Sequence, residues 1–170
     1  MGGIGKGFWP TLGGILLLLY LSLKMFATCD PLTDTDNNGY WDPGDHENAI
    51  ARYDEAIRLD PQHAETYNRR GIEYYAMGKY EGSINKVKRA IEDYSEAIRL
   101  NPQRAYLYSN RAQAYSKLEQ YERAIEDYDE AIRLDPRSAY AYLNRGYAYG
   151  NLGQEELADR DFAKAKELGY

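Results

Sequence analysis

The chain has 170 residues, 44% of them hydrophobic and 28% charged, enough for one modest folded domain of ordinary composition. A formal net charge of −6 sets nucleic acid aside as a partner, because phosphate binding needs a cationic face. Cys29 is the single cysteine, so no intrachain disulfide can form. The acidity is local: residues 30–63 carry nine Asp and Glu against Arg52 and Arg58, whereas residues 1–29 hold only Lys6 and Lys24 and the remainder is near neutral.

From Phe8 to Leu23 the chain is apolar, with its purest stretch from Ile15 to Leu21. Lys24 can snorkel, so the run extends to Ala27 and reaches about 20 residues, the length a bilayer core requires. Residues 1–29 are therefore predicted as a transmembrane signal anchor with Trp9 at one interface. A cleaved secretory signal is disfavoured, since Met25-Phe26-Ala27 is a poor cleavage site. Phe26-Ala27-Thr28-Cys29 resembles a lipoprotein signal, although Phe and Thr are atypical there, so a lipid anchor through Cys29 stays open. Lys6 ahead of the run and acids behind it predict a cytoplasmic N-terminus and an extracytoplasmic remainder (periplasmic, extracellular or lumenal). The opposite sidedness, with a cytoplasmic domain, is the alternative.

Residues 30–45 form an acidic linker. Within it, Asp34-Thr35-Asp36-Asn37-Asn38-Gly39-Tyr40-Trp41-Asp42-Pro43-Gly44-Asp45 follows the spacing D-x-D-x-N-G-x-x-D-x-x-D, which resembles EF-hand and dockerin-type calcium loops. The resemblance implies calcium ligands at Asp34, Asp36, Asn38, Tyr40 (through its carbonyl), Asp42 and Asp45, with Gly39 at the sharp turn. No entering helix is evident, and Asp45 replaces the bidentate Glu of an EF-hand. A second reading uses the same residues without metal: Asn38-Gly39 as a turn, and Asp42-Pro43-Gly44-Asp45 as a helix start with an N-cap, a first-turn proline and a dipole-compensating acid.

From residue 46 onward the chain repeats itself. Ala49/Tyr53/Ala56/Pro61, Ala90/Tyr94/Ala97/Pro102, Ala124/Tyr128/Ala131/Pro136 and Ala158/Phe162/Ala165 share one register. Spacings of three, four and seven lie on one helix face, Ala permits close approach of a paired helix, and Pro stops the helix. Tyr67/Gly71/Tyr74, Tyr108/Ala112/Tyr115 and Tyr142/Gly146/Tyr149 mark a helix before three of these, each with a small residue between two rings for a close crossing. Together the motifs resemble the tetratricopeptide-repeat (TPR) family, with its aromatic, G-x-x-Y, A-x-x-x-F and P layout. The resemblance implies an all-α, right-handed solenoid of helix hairpins following the transmembrane segment. It divides residues 46–170 into a half repeat (46–63), a long repeat (64–104) and two further repeats (105–138 and 139–170).

The long repeat holds seven extra residues, at about 81–87. Seven residues are almost two turns, so a single protruding second helix is predicted, with Ile84, Val87, Ile91, Tyr94 and Ile98 on one face. An array must close its ends. Asp159 and Lys166 stand where earlier repeats carry Ile and are expected to form a polar cap. Tyr53, Ala49 and Ala56 of the half repeat need cover from Tyr40-Trp41, the linker or another protein.

No phosphate loop, nucleophile motif or zinc spacing appears, and no enzyme is predicted. His46 and His63 are expected as solvated surface residues. By the resemblance, a partner-binding groove lies on the first helices, over Asn68, Ile72 and Tyr75; Tyr106, Ser109, Gln113 and Lys117; and Tyr140, Leu143, Tyr147 and Asn151. Glu65, Ala76 and Ser116 flank them. Of the cations that chaperone-binding members use to clamp a carboxylate tail, only Lys117 is present, so that ligand is disfavoured. The expected function is a membrane-tethered scaffold or accessory subunit of a membrane complex that binds a protein partner. The alternative is an extracytoplasmic, calcium-dependent adhesion or receptor-like module.

Overall fold

The computed structural model describes residues 43–170, which are helical apart from short turns. The apolar run, Cys29 and the candidate ligands Asp34, Asp36, Asn38, Tyr40 and Asp42 lie outside the described residues. Among the described residues no helix is long and apolar enough to cross a membrane, and no group of three or more His, Cys, Asp or Glu could hold a metal ion.

A lone helix, α1 (Pro43–Leu59), carries Asp45 in its first turn. Three hairpins follow: α2 (Ala64–Glu81) with α3 (Ile84–Leu100), α4 (Ala105–Lys117) with α5 (Tyr121–Leu134), and α6 (Ala139–Asn151) with α7 (Glu155–Glu167). The residues before Pro102 and Pro136 leave the helical region, with φ −143° at Asn101 and −134° at Asp135, because the proline ring disfavours helical backbone there. Asp60 and Asp135 then accept from the backbone N–H two residues on, at 3.1 Å each, which closes the turn.

Inside each hairpin the crossing is set by small residues. A Cβ on Gly71 would lie 2.8 Å from the Tyr94 ring, and one on Gly146 would lie 2.7 Å from the Phe162 ring. The core consists mainly of alanines and buried tyrosines: Ala112, Ala124, Tyr128, Ala131 and Ala141 in one cluster, and Val87, Ala90, Tyr94 and Ala114 in another. Besides the sequential packing, α2 touches α4 and α4 touches α6, closer than any second helices approach one another. Closer approach of the first helices curls the array with α2, α4 and α6 on its inner face.

The seven extra residues differ from the expectation. They do not project as the start of one long helix; they lengthen both arms of the hairpin. α2 has 18 residues against 13 in α4 and α6, and α3 has 17 against 14 in α5 and 13 in α7. Lengthening both arms keeps them paired, with Met77 and Val87 buried between them. Ile84, expected on the buried face, is 59% exposed; among the described residues no helix covers the hairpin tip.

At the other end, Ala49 and Ile50 of α1 are buried, and Tyr53 and Ala56 are half-buried. His46 is not a solvated surface residue. Its Nδ1 pairs with the carboxylate of Glu73, a buried side chain on α2, because the first turn of α1 packs across the middle of that helix. His63 meets the Thr66 hydroxyl at 2.7 Å. Asp159 and Lys166 are exposed on α7.

One inter-helix device escaped the hydrophobic pattern. Arg70 donates two bonds to Asp93 of its own hairpin, at 2.9 and 2.6 Å, and a third to Asp54 of α1 at 2.6 Å. Arg145 repeats the arrangement with Asp161 and with Asp129 of the preceding hairpin. Arg111 binds Asp127 at 2.8 and 2.7 Å, but its third bond goes to the Ser95 hydroxyl at 3.1 Å. Each guanidinium lies over tyrosine rings of its own helix, at 5.5–5.9 Å. Bidentate pairing fixes direction as well as distance, so these arginines set each first helix against two second helices.

Candidate functional site

The inner face of α2, α4 and α6 is the candidate partner site, and its side chains fall into two levels. Three tyrosines stand at the surface: Tyr106 is 45%, Tyr140 40% and Tyr147 56% exposed. Lys117 and Asn151 are exposed with them. Tyr147 is braced by an edge contact with the Phe162 ring, centroids 5.2 Å apart. Asn151 donates to the Tyr147 carbonyl at 2.8 Å.

Below them, Ile72, Tyr75, Gln113 and Leu143 are half-buried. Ile72 and Tyr75 pack on the cluster formed by Val87, Ala90, Tyr94 and Ala114. Asn68 and Ser109 are buried, which places them beneath the face expected to present them. Their register points sideways into the seam between successive first helices, where Asn110 donates to the Asn68 side-chain oxygen at 2.9 Å.

The electrostatics are close to neutral. Burial pushes the Tyr75 hydroxyl up to about 12. Tyr106 rises to about 12 as well, through burial and then through the Glu65 carboxylate that accepts its hydrogen bond at 2.8 Å. Tyr140 is raised by burial, with the neighbouring Gln113 amide acting in the opposite direction. These tyrosines are therefore neutral hydroxyls at physiological pH. Glu65 and Arg69 are paired at 3.1 Å. Such a surface suits contact with the flat faces and backbone amides of an extended segment, since tyrosine combines a broad apolar ring with a polar tip.

The model described as TPR repeat matches residues 38–78, 71–119 and 114–153, and one described as Tetratricopeptide repeat matches residues 139–168. The chain belongs to the tetratricopeptide-repeat family. Among solved structures, the TPR chain is similar to the second TPR of Spaghetti (RPAP3) bound to the HSP90 peptide SRMEEVD. Identity is 35%, coverage is 67% of this chain and 98% of that one, and the TM-score is 0.57. The Arabidopsis OM64 TPR domain is 33% identical over 62% of this chain and 82% of that chain, with a TM-score of 0.55. MamA from Desulfovibrio magneticus RS-1, residues 41 to the end, matches over 90% and 93% with a TM-score of 0.66, and at 23% identity it shows the fold alone. No curated protein matches the chain by sequence.

Proposed function

We propose that this TPR protein is an interaction module that holds an extended, weakly charged segment of a partner protein along the inner face of α2, α4 and α6. The observation that carries the reading is the row of exposed tyrosines on successive first helices, Tyr106, Tyr140 and Tyr147. Solved relatives in peptide-bound form support the mode of binding, among them both TPR domains of Spaghetti with an HSP90 peptide. The charge of the ligand is expected to differ. SRMEEVD carries three acids against one arginine, whereas this face offers Lys117 and an Arg69 already paired with Glu65.

The test is selection of binding peptides from a random-sequence library by the full chain. Selected peptides are then titrated against the triple variant Tyr106→Ala/Tyr140→Ala/Tyr147→Ala. Truncating aromatic anchors costs about 1 kcal/mol or more each, so the triple variant should lose at least about a hundredfold in affinity while keeping its helical circular dichroism. Undiminished binding would move the site to another surface.

The apolar run at residues 8–27 supports a tether that sets this module at a membrane, beside a soluble partner or a subunit of a membrane complex. Intact mass of the chain recovered from membranes tests it: retained Met1 supports the anchor, and a diacylglyceryl group on Cys29 supports lipidation. An extracytoplasmic repeat domain follows from Lys6 and the acidic linker, and protease protection in sealed vesicles reads the sidedness. The spacing from Asp34 to Asp45 supports calcium in the linker. Isothermal titration of the full chain with calcium chloride, beside an Asp34→Ala/Asp36→Ala variant, checks that assignment.

A further inference from the structure

We infer that Glu65 occupies, from within the chain, a carboxylate site in the groove, and that this side chain is what turns acidic peptides away. The inference rests on the groove reading above. Both oxygens of the Glu65 carboxylate are held, and by donors from different repeats. Oε1 accepts from Arg69 Nε at 3.1 Å, one turn along α2, and Oε2 accepts from the Tyr106 hydroxyl at 2.8 Å, on α4. Tyr53 of α1 lies within electrostatic reach of Arg69, and Arg104 within reach of Tyr106. A guanidinium and a phenolic hydroxyl converging on one point are groups that recognise a carboxylate.

The neighbouring arginines are committed elsewhere. Arg70, Arg111 and Arg145 are turned toward the second helices and locked on aspartates. Arg69 has no counterpart in the later repeats, where Asn110 and Asn144 stand in its register. The pair it makes with Glu65 is open to solvent, with side chains 36% and 38% exposed, so it is exchangeable rather than locked. An incoming carboxylate must displace Glu65 or lie beside it as a like charge. Either way specificity comes from a repulsive element placed at an otherwise competent site.

The experiment uses the full chain and a fluorescein-labelled peptide, Ser-Tyr-Glu-Glu-Tyr-Asp, with a free C-terminus. Its uncharged counterpart has Gln and Asn for the acids and an amidated end. Fluorescence polarisation compares wild type, Glu65→Gln and Glu65→Gln/Arg69→Gln, with circular dichroism confirming the fold of each. Glu65→Gln should bind the acidic peptide about tenfold more tightly than wild type, with a gain that shrinks as salt is added. The uncharged peptide should change by less than about twofold, and removing Arg69 as well should cancel the gain. An unchanged affinity for the acidic peptide, or a gain that survives loss of Arg69, overturns the inference. If a library-selected peptide binds through the three tyrosines while Glu65→Gln gains no affinity for the acidic peptide, the groove reading stands and this one falls. If no peptide depends on the three tyrosines and Glu65→Gln captures nothing, both fall.

Discussion

Replacing Arg111 by Met puts the buried ion-pair ladder to a direct test. The change removes two bonds to Asp127 and one to Ser95, and leaves an aspartate side chain of 9% exposure without its cation. An uncompensated buried charge costs about 3–5 kcal/mol, and the lower end applies here because Arg111 itself keeps 20% exposure and admits water. Against a stability of roughly 6–19 kcal/mol for 128 residues, about 3 kcal/mol is a large loss. Urea unfolding followed by circular dichroism measures it. Asp127→Leu and the double variant Arg111→Met/Asp127→Leu complete the cycle. With both charges gone the site becomes apolar, so the double variant should recover at least about 2 kcal/mol relative to the sum of the two singles. A loss below about 1 kcal/mol for Arg111→Met, or strict additivity, would refute the assignment of the pair as a mutually dependent unit.

Other predictions follow from single positions. Glu119 closes the α4–α5 turn with φ 59°, where the corresponding turns use Gly82 and Gly153, so Glu119→Gly should stabilise the protein by about 0.5–1 kcal/mol, read as a higher urea midpoint. Ser95→Asp should give Arg111 the third acidic partner that Arg70 and Arg145 possess and raise stability by about 0.5–1 kcal/mol in the same assay. The raised hydroxyls of Tyr75 and Tyr106 keep their protons in the folded state after the unfolded chain has begun to lose them at about 10. Their contribution is thus complete below pH 10 and is lost as pH rises toward about 12. Tyrosinate absorbance should lag behind a free-tyrosine titration and then rise together with loss of ellipticity. Ionisation of every tyrosine at about pH 10 with helices intact would contradict the burial that holds them neutral.

The helices and their pairing were legible because Ala, Tyr and Pro recur in one register, and the Asp-Pro and Asn-Pro junctions carry their own stop signal. Where the seven extra residues would go was not, since period alone says which side chains share a face and not how far the facing helix reaches. Ile84 fits the apolar stripe of α3 and still meets solvent. The pair of His46 with Glu73 joins positions 27 apart, one of them a register that holds Ala114 and Ala148 in later repeats, so only packing reveals it. The arginine ladder was readable in principle: Arg70, Arg111 and Arg145 recur in one register, as do Asp93, Asp127 and Asp161. A search confined to apolar and small residues passes over charged repeats. On the groove face Tyr106, Tyr140 and Tyr147 are exposed, as their register implied. Asn68 and Ser109 went the other way because their register turns into the seam between first helices.

Ser95 makes the three joints of the array unequal in charge pairing. Where α1 meets the first hairpin and where the second meets the third, an arginine is clasped by two carboxylates on opposite sides of the joint; at the middle joint the near side offers a neutral hydroxyl. The neutral partner falls between α3 and α4, at the joint of the first two inner helices. Glu65 and Tyr106 clasp hands across that same joint on the groove side. A ligand that parts them would act at the one joint whose arginine has a single carboxylate partner.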